Sequence, residues 1–344
     1  MSDIFLSICI ATFRRGAFIG ETLECLLAQA PDDVEVLVLD GGSPDNTAAV
    51  VQALPEKSPG LRYVRQETNN GVDRDFDHAV ELARGEYCWL MTDDDLVKPG
   101  TVARIVEACR NGHDLVVVNC DVWNTDFSER IEERRLAVYE DREYAVGEDE
   151  RFFSEIAPYL QFIGGVVIRR STWLTRDRES YYGTLFVHVG VVFQEPLPGT
   201  IHVIADPMIT VRFGNAMWTP RMFEIWNFKW PELVWSFPQF SDAAKRRVCD
   251  REPWKRLAVL LLDRAKGAYS PDLYRKWIAP RMKSPLRRLA AALIAFFPAG
   301  ILNLLGIFWL STVSRKFPLH LKDLQYSRHN RLGPWIGRIG GTFS

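Results

Sequence analysis

The chain has 344 residues and a mass of 39.4 kDa, with 47% hydrophobic, 25% charged and 12% aromatic residues. That is too much apolar content for a disordered polymer and too long a chain for a disulfide-stapled module. The formal charge of -2 hides a split, because residues 245–344 carry 20 Lys+Arg against 5 Asp+Glu and the rest carries 22 against 39.

The two parts therefore face different partners, and nucleic acid is not expected among them. Cys9, Cys25, Cys88, Cys109, Cys120 and Cys249 contain no CxxC pair and sit mostly in apolar runs, which points to free thiols and a reducing compartment. The first eleven residues lack a basic n-region, so no secretory leader is expected and the catalytic part is placed in the cytoplasm.

Short apolar runs at 6–11, 34–39, 87–91 and 115–118 predict strands covered on both faces. Between them, 17–29, 47–54, 73–83 and 100–109 show helical spacing. Alternation of this kind predicts an α/β fold with a doubly wound, mostly parallel sheet, whose ligands lie beyond the carboxyl ends of the strands. Residues 121–160 are charged and irregular, and 162–168 returns as an apolar strand after Gly164-Gly165. Residues 217–240 are rich in Trp, Phe and Pro. The expected organisation is a domain over 1–216, an aromatic and basic helical subdomain over 217–284, and a basic, hydrophobic tail over 285–344.

Three polar clusters follow predicted strands: Ala11-Thr12-Phe13-Arg14-Arg15, Asp40-Gly41-Gly42-Ser43-Pro44-Asp45-Asn46-Thr47, and Thr92-Asp93-Asp94-Asp95. Singly, each reads equally well as a helix cap or a turn. Together they converge on one edge of a parallel sheet. Three adjacent carboxylates repel unless something cationic sits among them, and oxygen-only ligands suit Mg²⁺ or Mn²⁺. The ordinary alternative has one Asp capping the helix near Pro99 and the others solvated.

These strings, with Ser7-Ile8-Cys9-Ile10, Asn70-Gly71, Gly85-Glu86-Tyr87 and Lys98-Pro99-Gly100, resemble the family 2 glycosyltransferases of GT-A fold over about the first 120 residues. Within that family, Gly71-Val72-Asp73-Arg74-Asp75, Cys88-Trp89-Leu90-Met91 and the segment 182–190 look most like abequosyltransferase-type enzymes of O-antigen assembly. The resemblance implies donor contacts from Ala11, Thr12, Phe13, Arg15 and Gly71. It gives Asp40 to the pyrimidine base, Asp93 to the ribose and sugar, and Asp94 to the metal. Asp95 becomes an indirect ligand, behind the direct ones or bound through water, because Thr92 stands where the family more often has an acid. Arg74 reads as a donor contact or as a surface ion pair. Gly164, Gly165 and Trp218 are expected on the acceptor side, and Arg212 on the donor diphosphate, with a structural ion pair as its alternative.

The family's inverting members place an Asp as base, often in a Glu-Asp pair. No such pair follows Gly164-Gly165 here, and His188 stands at about that place, reading equally as base or as a core histidine. Asp177 and Glu179 are the reserve candidates.

Residues 289–314 carry no charge, with Arg281, Lys283, Arg287 and Arg288 before them and Arg315 and Lys316 behind. The length suits a bilayer, and Pro298 argues for helix, break and helix dipping into an anionic membrane surface with both flanks cytoplasmic. Two buried helices are the soluble alternative. The expectation is a transferase at the cytoplasmic face of the bacterial inner membrane, using a CDP-, UDP- or dTDP-sugar and a polyprenyl-diphosphate-linked glycan acceptor, with self-association left open. A sugar nucleotidylyltransferase and a non-catalytic scaffold are its rivals.

Overall fold

A computed structural model describes residues 4–54, 60–313 and 317–330. Ser314, Arg315 and Lys316 lie outside the described residues. The chain divides into two units, one of 1–213 with 233–248 and one of 214–232 with 249–344.

The first unit holds a ten-stranded sheet. Its strands are β1 (Leu6–Thr12), β2 (Val34–Asp40), β3 (Leu61–Arg65), β4 (Tyr87–Met91), β5 (Leu96–Val97), β6 (Leu115–Asn124), β7 (Arg130–Glu132), β8 (Arg142–Tyr144), β9 (Val166–Arg169) and β10 (Ile201–Phe213). Helices α1 (Ile19–Leu27), α2 (Thr47–Gln52), α3 (Val72–Leu82), α4 (Thr101–Arg110), α5 (Asp149–Ile156), α6 (Arg170–Thr175) and α7 (Val187–Phe193) alternate with them. The order is β3-β2-β1-β4-β9-β6-β10-β5, with β7 on β6 and β8 on β10. Every residue of β2 and β4 is buried, which is why neither shows an apolar/polar alternation; Glu35, the one charged residue inside the β2 run, is buried against Ser7 and Arg62.

β1 pairs in parallel with β2 and β4, β2 with β3, and β6 with β10. β9 runs antiparallel between β4 and β6, so the sheet is mixed rather than uniformly parallel. Two reversals across β9 leave β6 pointing the same way as β4. Thr12, Asp40, Met91, Asn124 and Phe213 therefore end at one edge.

The expected strand over 162–168 begins only at Val166, because Ile163–Gly165 form a 3-10 turn. A Cβ on Gly165 would meet the Tyr159 ring at 2.9 Å and the Val118 carbonyl at 3.0 Å, and the Gly164 carbonyl accepts from Trp89 Nε1 at 2.7 Å. Both glycines are buried, so here they close the core rather than line an acceptor surface.

Two of the three buried aspartates on α3 clip distant chain to that helix. Asp73 accepts the backbone N–H groups of Gly183, Leu185 and Val187 at 2.8, 2.9 and 3.0 Å. It thereby holds Leu185 at φ 74, in the left-handed region that L-residues avoid, and caps the start of α7. Asp77 accepts from Trp173 Nε1 and Tyr182 Oη and pairs with Arg178. Phe240 stacks on Phe153 at 4.0 Å, tying residues 233–248 to this unit.

In the second unit, Phe223, Phe228, Trp254, Leu260, Tyr269 and Ile278 form a core with Ala291 and Ala295. A smaller cluster joins Ala265, Ile307, Leu310 and Leu324. Asn303, the one amide in the apolar block, is buried and donates to the carbonyls of Ala265 and Leu324 at 3.1 and 2.8 Å. Helices Pro285–Phe296 and Ala299–Thr312 meet at 93° across Phe297-Pro298, which matches the expected helix, break and helix. Among the described residues no single helix is long and apolar enough to cross a membrane, whereas this bent pair is so when taken together.

Removing the Asp73 carboxylate orphans three backbone donors, so Asp73→Ala is expected to cost about 3 kcal/mol of unfolding free energy in urea melts, and Asp73→Asn less. A loss under about 0.5 kcal/mol for the alanine variant would contradict the clip.

Candidate active site

The edge defined by the five strand ends carries the acidic trio. β4 ends at Met91, and Thr92 to Asp95 turn back into the two-residue strand β5, which pairs with β10. The cation among the carboxylates is an arginine. Arg15 Nε lies 3.2 Å from Asp93 Oδ1, and its Nη2 lies 3.1 Å from Asp94 Oδ2. Arg15 is carried there by a left-handed Arg14 at φ 58, whose N–H donates to Ser43 Oγ at 2.9 Å. The Arg15 N–H donates to Thr47 Oγ1 at 3.0 Å. The turns after β1 and β2 thus hold each other, and Thr47 serves this purpose as well as opening α2.

Asp93 is pushed up to about 7, first by burial and then by the charge of Asp94, against the pull of Arg15 and the Thr12 hydroxyl. The side chains of Asp93 and Asp94 each keep 11% of their surface exposed. Two largely buried carboxylates that keep an opening to solvent, with more negative charge than one guanidinium offsets, are a donor set that suits a hard divalent cation. These two residues fit a metal.

Asp95 does not, which corrects the expectation. Its Oδ1 accepts the Arg212 N–H at 2.7 Å and its Oδ2 accepts the Thr92 hydroxyl at 2.5 Å. Burial and the neighbouring Asp94 charge hold it well above the usual carboxylate range. It turns inward and braces the loop, and Thr92, in the place of a family acid, is its partner.

Arg212 is corrected in the same way. Its Nε donates to the Asp94 carbonyl at 2.9 Å, Nη1 to the Thr125 carbonyl at 2.6 Å, and Nη2 to Glu21 Oε2 at 2.6 Å. The guanidinium lies 4.1 Å from the ring of Phe127, another left-handed residue. These bonds make Arg212 a buried strut of the acidic loop and leave it no free fork for a diphosphate.

Asp40 is fully buried, with Oδ1 accepting Ser43 N–H at 2.8 Å and Oδ2 accepting Tyr63 Oη at 2.6 Å. It shapes the turn beneath the edge instead of presenting a free carboxylate to a base. Asp75 lies beside it, pushed up by burial and by the Asp40 charge, and accepts from Gln66 Nε2 at 2.8 Å. Asp75 belongs to the 71–75 motif but has no role assigned from sequence, and Gln66 is revealed only by the hydrogen bond it donates from the end of β3 to α3.

Ala11 and Thr12 close β1, and Phe13 lies under the guanidinium of Arg14 at 5.2 Å. Gly71, at φ 90, opens α3 with open space around its Cα. Arg74 is exposed and lies over the Tyr182 ring at 4.6 Å. Trp218 belongs to the second unit, where it packs edge-on against Trp226.

His188 lies on α7, not on a strand, and is 1% exposed. Its Nε2 faces the Leu160 carbonyl at 2.8 Å and its Nδ1 is buried with no hydrogen-bond partner. Burial pushes the imidazole down to about 4. A neutral ring sealed in the core has no route to an acceptor hydroxyl, so His188 is a core histidine and not the base.

With the strand-end geometry in view, residues 7–174 match Glycosyl transferase family 2, and the chain belongs to that family. It is a glycosyltransferase of GT-A fold that transfers sugar from a nucleotide-sugar donor. Abequosyltransferase RfbV of Salmonella typhimurium is 25% identical over 225 residues, covering 62% of this chain and 68% of that protein. The GalNAc(5)-diNAcBac-PP-undecaprenol beta-1,3-glucosyltransferase of Campylobacter jejuni is 27% identical over 33% of this chain and 38% of its own. In fold, the chain is similar to S. aureus TarS 1-349 in complex with UDP (TM-score 0.55, 14% identity, 96% of this chain and 92% of that one). It is also similar to mannosyltransferase PcManGT of Pyrobaculum calidifontis in complex with GDP-Man and Mn²⁺ (TM-score 0.51, 14% identity, 96% and 87%).

Two outcomes test this site. Arg212→Lys cannot reach Asp94, Thr125 and Glu21 together, so sugar transfer should fall at least about tenfold while the fold persists; activity within twofold of wild type would contradict the strut. For His188, the folded ring stays neutral down to about pH 4, whereas the unfolded one gains its proton below about 6.5. The unfolded state therefore binds more protons between these values, and stability falls with falling pH, by on the order of 3 kcal/mol in all. His188→Gln should flatten that slope in urea melts from pH 7 to pH 5, and an unchanged slope would contradict the buried neutral assignment.

Proposed function

We propose that this glycosyltransferase moves a dideoxyhexose of the abequose type from a CDP-, UDP- or dTDP-linked donor to a polyprenyl-diphosphate-linked oligosaccharide. The product belongs to O-antigen or a related surface polysaccharide, and the work is done at the cytoplasmic face of the inner membrane. The observation that carries the reading is the pair of partly exposed carboxylates, Asp93 and Asp94, at the carboxyl edge with Arg15 between them. The likeness to an abequosyltransferase over 225 residues supports the sugar class. A relative whose printed name includes PP-undecaprenol supports the acceptor class.

Asp93 and Asp94 would hold Mn²⁺ or Mg²⁺, which when bound supplies charge neutralisation on the departing diphosphate. Arg15, whose Nε and Nη2 engage the same two carboxylates, adds a fixed positive charge beside the place where the diphosphate would develop its negative charge. Asp95, Thr92 and Arg212 keep the loop from relaxing, so that Asp93 and Asp94 are already in place before the donor arrives.

The bent helix pair supports a membrane location. Leu286, Leu293, Phe296, Leu305, Phe308 and Trp309 are each more than half exposed, a larger apolar surface than a soluble helix pair leaves to water. Arg281, Lys283, Arg287 and Arg288 precede the break, suiting anionic headgroups.

Transfer to a lipid-linked acceptor, followed by mass spectrometry with a panel of nucleotide sugars, tests the chemistry. Wild type should require Mn²⁺ or Mg²⁺ and favour a dideoxyhexose donor, and Asp94→Asn should lose at least about a hundredfold in rate. Equal rates for the two proteins would refute the assignment. In a separate assay, wild type should pellet with vesicles containing anionic lipid, and the pair Leu293→Asp with Phe308→Asp should lower that binding at least about tenfold. Pelleting unchanged by the double substitution would refute the membrane face.

A further inference from the structure

At the opposite edge of the same sheet, two histidines and a glutamate converge from two strands and the turn that precedes a third. His113 precedes β6, His202 is the second residue of β10, and Glu143 is the middle residue of β8. The antiparallel register of β8 on β10 sets Glu143 directly across from His202. The two imidazoles stack with centroids 5.0 Å apart and planes at 18°. His113 Nε2 lies 3.4 Å, and His202 Nδ1 3.8 Å, from the same oxygen, Glu143 Oε1. One ligand atom from each of the three lies within 4.8 Å of the others. A tetrahedral ion with ligands at about 2.1 Å separates them by about 3.4 Å, so small side-chain adjustments complete the set.

The outward ring nitrogens are already engaged. His113 Nδ1 is 2.7 Å from Thr200 Oγ1, and His202 Nε2 is 3.4 Å from Asp141 Oδ2. Asp141 is itself held by Arg104 and by the Ala205 N–H. A hydroxyl or carboxylate on the far nitrogen is the arrangement that orients metal-binding imidazoles and leaves the near nitrogen's lone pair free. His202 Nδ1 is buried and has no hydrogen-bond partner, which is costly for a polar atom. A metal ion would satisfy it.

We propose that His113, Glu143 and His202 form a binding site for a zinc-class divalent ion, with water as the fourth ligand. Two imidazoles and one carboxylate suit Zn²⁺, whereas the all-oxygen pair at the donor edge suits a harder ion. β6 alone is ten residues long, so the two sites are separated by roughly 30 Å of strand. The zinc site is structural. It pins the three-residue strand β8 to β10 and to the start of β6, and thereby closes the excursion between β6 and α5. None of its ligands belongs to the donor machinery.

The test uses the full chain carrying Asp94→Asn, so that the donor edge does not contribute, stripped with a chelator and then titrated with Co²⁺ or Zn²⁺. The expected result is one equivalent bound, with the visible absorption of tetrahedral Co²⁺ and a thermal midpoint raised by Zn²⁺. Adding His202→Asn or Glu143→Ala should weaken binding at least about tenfold and abolish the thermal shift. Glu143 is 62% exposed, so its loss leaves the metal-free fold intact, as equal melting in chelator would verify. Binding that is unchanged in both variants, or no bound equivalent in the parent, overturns the proposal.

Discussion

Three consecutive carboxylates at the end of a buried strand are the constraint on which the rest of this site is built. Desolvation and mutual repulsion oppose their ionisation together, and the fold answers with one arginine shared by two of them and hydrogen-bond donors for the third. Arg15 reaches Asp93 and Asp94 from the turn after β1, and Asp95 is turned inward onto Thr92 and the Arg212 N–H from β10. The trio is thus divided by geometry into two groups that face the donor edge and one that braces them. That division keeps two like charges adjacent and partly exposed at the carboxyl edge of the sheet.

The sheet order makes this possible. β1, β4 and β10 are not neighbours in sequence, yet their ends meet at one edge because β9 is inserted antiparallel and restores the direction of β6 and β10. The clips on α3 serve the same end: Asp73 and Asp77 bind segments more than a hundred or nearly a hundred residues away and fix the path into α7. The left-handed residues Arg14, Phe127 and Leu185 each stand next to one of these supports, and the surrounding hydrogen bonds hold their unfavourable backbone in place.

The second unit obeys a different economy of surface. Its helix pair buries alanines and a satisfied asparagine on one side, and leaves leucines, phenylalanines and a tryptophan outward on the other. In water that outward face is unfavourable, whereas against hydrocarbon it needs no partner. The break at Phe297-Pro298 arises because proline cannot continue the hydrogen-bond ladder of the preceding helix.

Residue order alone was enough for the strands β1, β2, β4 and β6, the helices between them, and the placing of Arg15, Asp93 and Asp94 at one edge. Each of these depends on a local hydrophobic run or on its immediate end. β3 escaped because its half-exposed side chains, Leu-Arg-Tyr-Val-Arg, lack a continuous apolar signal. The direction of β9, the inward turn of Asp95, the use of Arg212 as a strut, and the burial of His188 against Leu160 were settled by tertiary contacts. In each case the chemistry of the side chain is a local property, but where it points depends on donors and acceptors that the chain brings from far away. A histidine between valines reads alike on a strand and on a core helix. Only the packed neighbour decides whether its nitrogens meet solvent, a carbonyl or a substrate.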